Sequence, residues 1–439
     1  MKEELPSYPA YQKSRISWAK MIPVGWDTGW LGECSSSIQT GPFGSQLHAS
    51  DYINEGIPVI NPSNIANQKV VPDWDNTVTE SKANDLSRHR FQLGDIVFGR
   101  RGEMGRCAAI GQAEIGWLCG TGSLLVRLKK YRLLPDFAVL LLSQDSVRDT
   151  LILESVGATM DNLNTRILAK VRIPVPPISE QVSILSFLTR ETAKIDRLMD
   201  VRRKQIETLQ EQRTAVIHHA VTKGLDPQAK MKPSGVEWLG DVPENWEIRP
   251  FKYAAELIMG QSPPSTDCNL DGNGLPFLQG CAEFGRKSPS PKLFCESAVK
   301  RVRKSDILMS VRAPVGDLNV ADQEYGIGRG LCAIRGKIIE YEFVFYLLSC
   351  GNSYFKSIAT GTTYDAVTVA QIGRIIIPIP SSDDRAKIIK YIEHETEAFD
   401  ALISKYQREL ELLAEYRASL IAHAVTGKID VRGLVEVSL

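Results

Sequence analysis

The chain has 439 residues, more than one domain usually needs, and its 43% hydrophobic and 24% charged residues are typical of a globular protein. Its 52 Lys and Arg balance 52 Asp and Glu, which excludes a uniformly basic DNA-coating protein but allows local basic patches. No apolar run is long enough for a membrane span and the first residues lack an apolar signal region, so we expect a cytoplasmic protein without membrane contact. The spacing of the eight cysteines and six histidines predicts free thiols and no metal site.

The sequence is internally duplicated. Residues 157–226 align without gaps on residues 361–430, a shift of 204 (361 − 157), and 21 of the 70 aligned positions are identical. A second match, shifted by 220 (234 − 14), joins residues 14–26 to residues 234–246 and pairs two tryptophans and a proline in each copy. Shorter echoes join the middles of the halves: Gly94-Asp95-Ile96-Val97 with Ser305-Asp306-Ile307-Leu308, and Gly120-Thr121-Gly122 with Gly328-Arg329-Gly330. The chain therefore consists of two halves built on one frame.

Each half contains a short Trp…Pro…Trp segment, then a mixed stretch rich in Gly, Pro and β-branched residues, then one long helix. The predicted strands are Asp95–Phe98, Ser123–Leu128, Lys170–Val175, Ile307–Val311 and Arg374–Ile379. The predicted helices of the mixed stretches are Phe137–Leu142 and Phe343–Leu348. Strands interspersed with helices indicate an α+β (mixed α/β) fold class with small mixed sheets.

The last part of each half predicts one helix of about 40 residues, because the segments lack internal Pro and Gly. In the second half, residues 392–420 carry apolar side chains every three or four positions, at Ile392, Phe399, Leu402, Leu413 and others, with Glu395, Glu409 and Tyr416 in the same seam. The first half keeps that register, and Ser179 is its expected N-cap.

A lone helix of this length must bury its apolar stripe, and the simplest partner is its own duplicate. We expect an antiparallel coiled-coil rod with one mixed domain at each end, since the linker after the first helix is too short for parallel pairing. The expected divisions are 1–178 for the N-terminal segment and first domain, 179–226 for the first helix, 227–380 for the linker and second domain, and 381–439 for the second helix and tail.

Two short motifs suggest catalysis but lack their surroundings. Asn61-Pro62-Ser63-Asn64 is similar to an adenine methyltransferase loop, yet it lacks the aromatic residue that stacks on a flipped base, so we expect a surface turn. Pro72-Asp73 with Glu80-Ser81-Lys82 is similar to a nuclease metal site, but the second half has no counterpart. Neither a phosphate-binding loop nor a nucleophile elbow is present in the sequence. We therefore expect no catalytic residues in this chain.

Basic residues cluster at corresponding places of the two halves, around residues 88–106 and 286–312, and small-residue loops accompany them. Such patches suit phosphate groups, while Arg, Asn, Gln, Ser and Thr can also hydrogen-bond to base edges. The candidate DNA contacts are Ser45, Gln46, Arg88, Arg90, Arg100, Arg101, Arg106, Thr159, Asn162, Asn164, Gln261, Arg286, Lys287, Arg301, Arg303, Arg312, Arg329, Thr362, Thr363 and Tyr364.

Several motifs together resemble one family, the specificity (S) subunits of type I restriction–modification enzymes. They are Gly41-Pro42-Phe43-Gly44-Ser45, Ile173-Pro174-Val175-Pro176-Pro177 with Glu180-Gln181, Ser234-Gly235-Val236-Glu237-Trp238-Leu239-Gly240, Leu275-Pro276-Phe277-Leu278-Gln279-Gly280, residues 306–317, and Gly326-Ile327-Gly328-Arg329-Gly330. The chain departs from the family where the second repeat has Ser381-Ser382-Asp383-Asp384-Arg385 in place of a Pro followed by Glu-Gln, and where Arg15 and Ser17 make the first Trp…Pro…Trp segment degenerate.

The resemblance implies two target-recognition domains, each of which reads one half of a split double-stranded DNA site, separated by the family's two conserved helices. It implies that two methyltransferase (M) subunits dock on the helices and that restriction (R) subunits join them. The M subunits would hold S-adenosylmethionine, so this chain would need no cofactor. The candidate partner contacts are Ile195, Leu198, Leu209, Phe399, Leu402 and Leu413. The implied location is the bacterial or archaeal cytoplasm.

Two other interpretations fit parts of the sequence. A coiled-coil adaptor with two protein-binding heads would explain the duplication and the helices without any role for DNA. A self-contained methyltransferase or nuclease fused to its own DNA reader would explain the basic patches but lacks a cofactor loop. Salt-dependent DNA binding distinguishes the leading interpretation from the first alternative, and binding of S-adenosylmethionine by the isolated chain would support the second.

Overall fold

The computed structural model of the chain describes residues 5–101, 105–155, 163–285, 288–351, 354 and 366–434. The chain forms two compact units, Met1–Val201 with Glu409–Leu439 (unit 1) and Arg202–Arg408 (unit 2). Each unit therefore contains one mixed domain and parts of both long helices. This division differs from the sequence-based one, which cut the chain at the ends of the helices instead of within them.

Unit 1 begins with a hairpin and continues into the first mixed domain, domain 1 (residues 27–175). The strands are β1 (Tyr11–Lys13), β2 (Met21–Pro23), β3 (Asp27–Trp30), β4 (Ser35–Thr40), β5 (Tyr52–Ile53), β6 (Ile57–Ile60), β7 (Ile65–Ala66), β8 (Lys69–Val70), β9 (Thr77–Val78), β10 (Ile96–Gly99), β11 (Cys107–Ala109), β12 (Leu118–Cys119), β13 (Ser123–Leu128) and β14 (Arg172–Val175). The helices are α1 (Leu31–Cys34), α2 (Glu80–Asp85), α3 (Pro135–Leu142), α4 (Asp145–Ser155), α5 (Thr165–Ala169) and the long α6 (Ile178–Lys223), which continues into unit 2.

Unit 2 repeats this order, with a hairpin followed by domain 2 (residues 247–379). The strands are β15 (Met231–Pro233), β16 (Asp241–Pro243), β17 (Glu247–Pro250), β18 (Ala255–Met259), β19 (Cys268–Asn269), β20 (Leu275–Leu278), β21 (Leu293–Cys295), β22 (Arg301–Val302), β23 (Ile307–Ser310), β24 (Leu318–Val320), β25 (Tyr325–Ile327), β26 (Leu331–Gly336) and β27 (Ile376–Ile379). The helices are α7 (Tyr341–Cys350), α8 (Val369–Arg374) and the long α9 (Ser382–Val425), whose C-terminal part belongs to unit 1.

The two domains share one sheet topology. Domain 1 has an antiparallel sheet in the order β11-β10-β13-β4, and domain 2 has the corresponding sheet β24-β23-β26-β18. Beside it, a second sheet contains one parallel pair in each domain, β12 with β6 and β25 with β20. The buried strands are rich in Ile, Val, Leu and Phe on both faces, because helices and the second sheet cover them. The predicted α+β class with small mixed sheets is confirmed.

Within each unit the two long helices pack side by side in opposite directions. In unit 1, Ile184 and Leu188 near the start of α6 share one core with Leu420 and Val425 near the end of α9. In unit 2 the other halves of the same helices meet, since Ile217 and Val221 of α6 share a core with Ile388 and Ile392 of α9. The predicted antiparallel pairing is confirmed within each unit.

The predicted seam is wrong at three of its positions, Glu395, Leu402 and Tyr416. The structure buries Thr396 and Ile403 where the sequence analysis placed Glu395 and Leu402, and Tyr416 is 54% exposed. Thr396 and Ile403 each lie one residue further along the helix than the predicted position. At Leu402 and Ile403, two adjacent apolar residues make the heptad assignment ambiguous. Thr396 is accommodated in the buried seam because its hydroxyl donates to the carbonyl of Ile392 at 2.7 Å.

The long helices begin in two chemically different ways. In unit 1, the buried Gln181 donates to the carbonyls of Pro176 and Arg132, each at 2.9 Å. At the repeat-related position in unit 2 (181 + 204), Arg385 donates to the carbonyl of Pro380 at 2.7 Å and forms an ion pair with Glu340. The longer cation thus ties the same loop to the helix and is balanced by a carboxylate.

The N-cap prediction is corrected by the structure: α6 begins at Ile178, one residue before Ser179, because the chain enters the helix directly after Pro177. In the other copy the cap is Ser381, at the position of Pro177 (381 − 204), and its hydroxyl accepts from the backbone N–H of Asp384 at 3.2 Å. Among the helices of the described residues, none combines the length and apolar character that a membrane span requires.

Candidate nucleic-acid interface

A buried ion pair holds the central strand of each domain at the start of the shared Asp-Ile motif. Asp95 is 2% exposed and accepts from Nε and Nη2 of Arg127 at 2.8 and 2.7 Å. Asp306, 3% exposed, accepts from the same two nitrogens of Arg335 at 2.9 and 2.6 Å. The pair ties the residue just before each central strand to the neighbouring strand, β10 to β13 and β23 to β26.

At the far end of these strands, small residues let loops approach closely. A Cβ atom added to Gly41 would lie 1.8 Å from the carbonyl oxygen of Gly120, and one added to Gly260 would lie 2.1 Å from that of Gly328. Only glycine fits at such positions, so the first loop of each domain meets the loop before β13 or β26. We call each meeting point a loop cluster; the neighbouring loops after β6 and β20 join them through Asn61 and Gln279.

Each loop cluster carries an exposed arginine at the same place. The backbone N–H of Arg100 donates to the carbonyl of Gly122 at 2.9 Å, and that of Val311 donates to the carbonyl of Gly330 at 3.0 Å. Each acceptor is the last glycine of the neighbouring loop. The next residues, Arg101 and Arg312, are therefore repeat-related, and both are exposed. The sequence analysis had linked the basic patches only by their proximity to the Asp-Ile motif, whereas the structure pairs these two arginines one to one.

Arg100 lies deeper in the same cluster. It is half-buried, and its Nε donates to the carbonyl of Leu163 at 3.2 Å, while the N–H of Leu163 donates to the carbonyl of Arg100 at 3.0 Å. Burial and the neighbouring charge of Arg101 lower the pKa of the Arg100 guanidinium. Two adjacent cations, one of them partly desolvated, favour an anion at this surface, and a DNA phosphate is such an anion.

Two other candidates in domain 1, Arg90 and Asn164, make hydrogen bonds that stabilise the fold. The guanidinium of Arg90 donates to the carbonyls of Ala83 and Gly116 and to the side chains of Glu80 and Asn84, so it holds a turn together and has little capacity left for DNA. The side chain of Asn164 caps helix α5 by accepting from the N–H of Ile167 at 2.9 Å, because a loop asparagine before a helix satisfies its first free N–H groups.

Four further candidates in domain 1 are exposed or half-buried. The Nε of Arg88 donates to His89 at 2.9 Å, but Arg88 itself stays exposed. Ser45 is exposed, and Gln46 is half-buried because its oxygen accepts from the N–H of Phe43 within their loop. Arg106 is also half-buried. These side chains remain predicted contacts.

Among the described residues, domain 2 exposes more cations than domain 1. Gln261 and Arg329 are exposed in the loop cluster, where the N–H of Arg329 reaches the hydroxyl of Ser262 at 3.4 Å. Arg303 is exposed on the turn before β23, at the other end of the strand from Arg312. Arg301 is 57% exposed and lies 3.8 Å from Glu324, a weak surface pair that DNA phosphates can replace.

Seven candidates lie outside the described residues. They are Thr159, Asn162, Arg286, Lys287, Thr362, Thr363 and Tyr364. Two cluster residues were not among the candidates: Asn61, whose side-chain oxygen accepts from the N–H of Gly122 at 3.4 Å, and the exposed Gln279. Their common position after the parallel strands β6 and β20 was the available signal, but the sequence analysis considered Asn61 only in a methyltransferase loop.

The two catalytic look-alikes are structural. Asn61-Pro62-Ser63-Asn64 forms the expected surface turn, in which the side chain of Asn64 accepts from the N–H of Asn61 at 3.0 Å. In the nuclease-like motif, Glu80 pairs with Arg90 at 2.7 Å and Lys82 pairs with Asp51 at 3.0 Å. Among the described residues, no group of three His, Cys, Asp or Glu is arranged to hold a metal ion.

The helices show which candidate partner contacts are accessible. Ile195 is 8% exposed and belongs to the unit 1 core against which Leu413 packs, so these two side chains hold the helices to each other. Leu209, Phe399 and Leu402 are half-buried. Leu198 is exposed, and so are other large apolar side chains of α6 and α9 in unit 1 that were not among the candidates, including Val201, Leu412 and Tyr416.

A duplicated α+β domain with a basic loop cluster, repeated on a pair of antiparallel helices, defines a class of two-domain recognition proteins. The model of the family described as "Type I restriction modification DNA specificity domain" matches residues 23–208 and 243–412. This chain belongs to that family.

Two curated relatives agree with this assignment, and a solved structure shares the fold. The chain is 31% identical over 420 residues to the protein assigned as the MjaX type I restriction enzyme specificity subunit of Methanocaldococcus jannaschii, covering 94% of this chain and 95% of that one. It is 24% identical to the MjaVIII specificity subunit of the same organism, over 71% of this chain and 75% of that one. A chain from a solved structure of type I restriction–modification complex assembly shares the fold, with a TM-score of 0.69, 23% identity, and coverage of 93% of this chain and 99% of that one.

Proposed function

We propose that this chain is the DNA-recognition subunit of a type I restriction–modification complex, in which each domain reads one half of a bipartite double-stranded site. The observation that carries the proposal is the repeat-related pair Arg101 and Arg312, each exposed beside a glycine-lined loop cluster. An exposed arginine at one place of a shared frame suits a phosphate or a guanine edge, whereas the differing neighbours suit different sequences.

The difference between the loop clusters supports two distinct half-sites. At the position where domain 2 has Gln261, domain 1 has Pro42, and where domain 2 has Arg329, domain 1 has Thr121. The hydrogen-bonding groups offered to a base therefore differ, while the backbone that presents them is the same. A duplicated reader with diverged contacts recognises an asymmetric site.

The long helices are proposed to serve two purposes. They set the separation between the two half-sites, and their exposed apolar side chains in unit 1, Leu198, Val201, Leu412 and Tyr416, are proposed contacts for methyltransferase subunits. Two methyltransferase subunits with bound S-adenosylmethionine would carry out adenine methylation, and restriction subunits would join for cleavage. This chain would supply no catalytic residue and no cofactor, and the complex would act in the cytoplasm.

The proposal is tested with the chain co-purified with its methyltransferase subunit. Arg101→Ala and Arg312→Ala are made separately and compared with the parent complex by fluorescence anisotropy at several salt concentrations. The DNA carries the target sequence that the methylation pattern of an expressing host identifies. Each variant should weaken binding, and the slope of log affinity against log salt should fall by roughly 0.9 if the lost contact is a phosphate. Unchanged affinity and slope in both variants would remove the loop clusters from the DNA interface.

A further inference from the structure

A buried tyrosine, Tyr8, occupies a slot between side chains of unit 1. Tyr8 is 5% exposed, and its ring meets Trp26 edge to face at 5.8 Å between centroids. Its hydroxyl donates to Oε2 of Glu180 at 2.9 Å, and the indole N–H of Trp26 donates to the same oxygen at 2.8 Å. On its other side, the guanidinium of Arg432 lies 4.8 Å from the centre of the tyrosine ring. The slot thus consists of an indole, a carboxylate and a cation.

Unit 2 repeats the backbone of this slot. Hairpin β1–β2 pairs Tyr11 with Pro23, and hairpin β15–β16 pairs Met231 with Pro243, in the same antiparallel register. The hydrogen bond from Val24 N–H to the carbonyl of Ala10 recurs between Glu244 and Lys230. With the shift of 220 between the copies (231 − 11), the residue at the position of Tyr8 is Gln228, which is exposed.

The slot is therefore unfilled in unit 2, where a cavity of about 330 Å³ lies at this place. Trp246, the counterpart of Trp26, forms one wall together with Pro243 and Ala229. Asp384 stands where unit 1 has Glu180 (180 + 204), and its side chain is one methylene shorter, which leaves more room. Lys223 and Lys387 supply cations beside the cavity.

We propose that this cavity binds a tyrosine side chain presented by a segment of a partner protein. The ring would pack on Trp246, the hydroxyl would donate to Asp384, and Lys387 would take the place that Arg432 has in unit 1. The lining carries two carboxylates, Asp226 and Asp384, and two cations, Lys223 and Lys387. Its charges therefore balance and favour a neutral ligand, while these polar groups disfavour a purely apolar one. A chain segment fits better than a free small molecule, because Tyr8 is itself held by its flanking backbone and Leu225 next to the cavity is 41% exposed.

The test uses the full-length chain and the blocked peptide acetyl-Pro-Ser-Tyr-Pro-Ala-amide, which copies residues 6–10. Saturation-transfer NMR should show contact between the protein and the tyrosine ring of the peptide. A peptide with Phe for Tyr should bind about fivefold more weakly, the value of one hydrogen bond of about 1 kcal/mol. Asp384→Ala should remove this difference between the two peptides.

Two substitutions fill the empty slot of unit 2 and empty the filled slot of unit 1. Gln228→Tyr should fill the cavity from within, raise the melting temperature and abolish peptide binding, whereas the matched control Gln228→Lys should bind as the parent does. Tyr8→Gln should add a second peptide site in unit 1; the Gln228→Tyr result is decisive even if this variant does not fold. Absence of transfer in the parent, or undiminished transfer in Gln228→Tyr, would overturn the proposal. Equal binding of N-acetyltyrosinamide and the peptide would overturn the assignment to a protein segment.

Discussion

Arg213 of helix α6 clasps Asp400 of helix α9, donating from Nε at 2.9 Å and from Nη2 at 3.2 Å to the two carboxylate oxygens. In unit 1, Arg417 clasps Asp196 in the same way, at 2.8 and 3.3 Å. The residues are related by the duplication, since 417 − 213 and 400 − 196 both equal 204. Each repeat thus supplies the cation of one clasp and the anion of the other, as two antiparallel copies of one helix require.

Reversing the charges tests this reciprocity. Arg213→Asp should lower the free energy of unfolding by about 1 kcal/mol, because the pair is partly exposed and exposed pairs contribute little. The double variant Arg213→Asp with Asp400→Arg should recover most of the loss. Urea denaturation of the purified chain provides the measurement, and a double variant that is less stable than either single one would contradict the pairing.

The buried pair in each domain should matter more than the helix clasp. Asp95→Ala removes the acceptor for Arg127 and for the N–H of Gln92, which it accepts at 2.7 Å, so we expect a loss of about 2 kcal/mol in stability. Asp306→Ala should have a similar effect on domain 2.

The control for this prediction is Asp95→Asn, which keeps the acceptor for the N–H of Gln92 but loses the charge. The melting temperature of Asp95→Asn should lie between those of the parent and the alanine variant. If all three proteins melt at the same temperature, the pair does not hold the central strand.

Arg90 and Arg101 provide a matched test of where DNA binds, since both are arginines of the same basic patch. Arg90→Ala should lower the stability of domain 1 because it removes hydrogen bonds to the two carbonyls of Ala83 and Gly116, yet it should keep the salt dependence of DNA binding. Arg101→Ala should keep the stability of domain 1 but reduce the salt dependence of DNA binding. Salt titrations and melting curves of both variants, with the methyltransferase subunit bound, check the assignment, which fails if Arg90→Ala reduces the salt slope and Arg101→Ala does not.

Alkaline pH should destabilise unit 1 because it ionises the buried Tyr8. Burial, followed by the hydrogen bond to Glu180, raises the pKa of Tyr8 above its ordinary value. A raised folded pKa means that the stabilisation is complete below the unfolded pKa of about 10 and is lost as the pH rises above it. The melting temperature of the parent should therefore fall more steeply above about pH 10 than that of Tyr8→Phe. Parallel curves would show that Tyr8 does not titrate with folding.

The sequence predicted those features that depend on repetition and periodicity. Strand Ser123–Leu128 was predicted with the bounds that the structure gives, and both long helices were placed to within a few residues. The duplication also identified the Asp-Ile motif, whose meaning became clear only when its partners Arg127 and Arg335 were seen. Contacts between residues so far apart in sequence leave no local signal.

The candidate site was predicted at the level of segments, and less well at the level of residues. Arg90 and Arg101 look equivalent in a sequence, because composition does not reveal that one guanidinium is occupied by four acceptors and the other is exposed. Asn61 was missed because its loop approaches Gly122, 61 residues further along (122 − 61), and only the fold brings them together.

The most direct test of the central claim is the methylation pattern of a host that expresses this chain with its methyltransferase subunit, read by methylation-sensitive sequencing. A bipartite motif should appear, with two specific half-sites separated by unspecified bases. Arg101→Ala should relax or weaken recognition of one half only, and Arg312→Ala should affect only the other. A single continuous motif, or two variants that alter the same half, would contradict the assignment of one half-site to each domain.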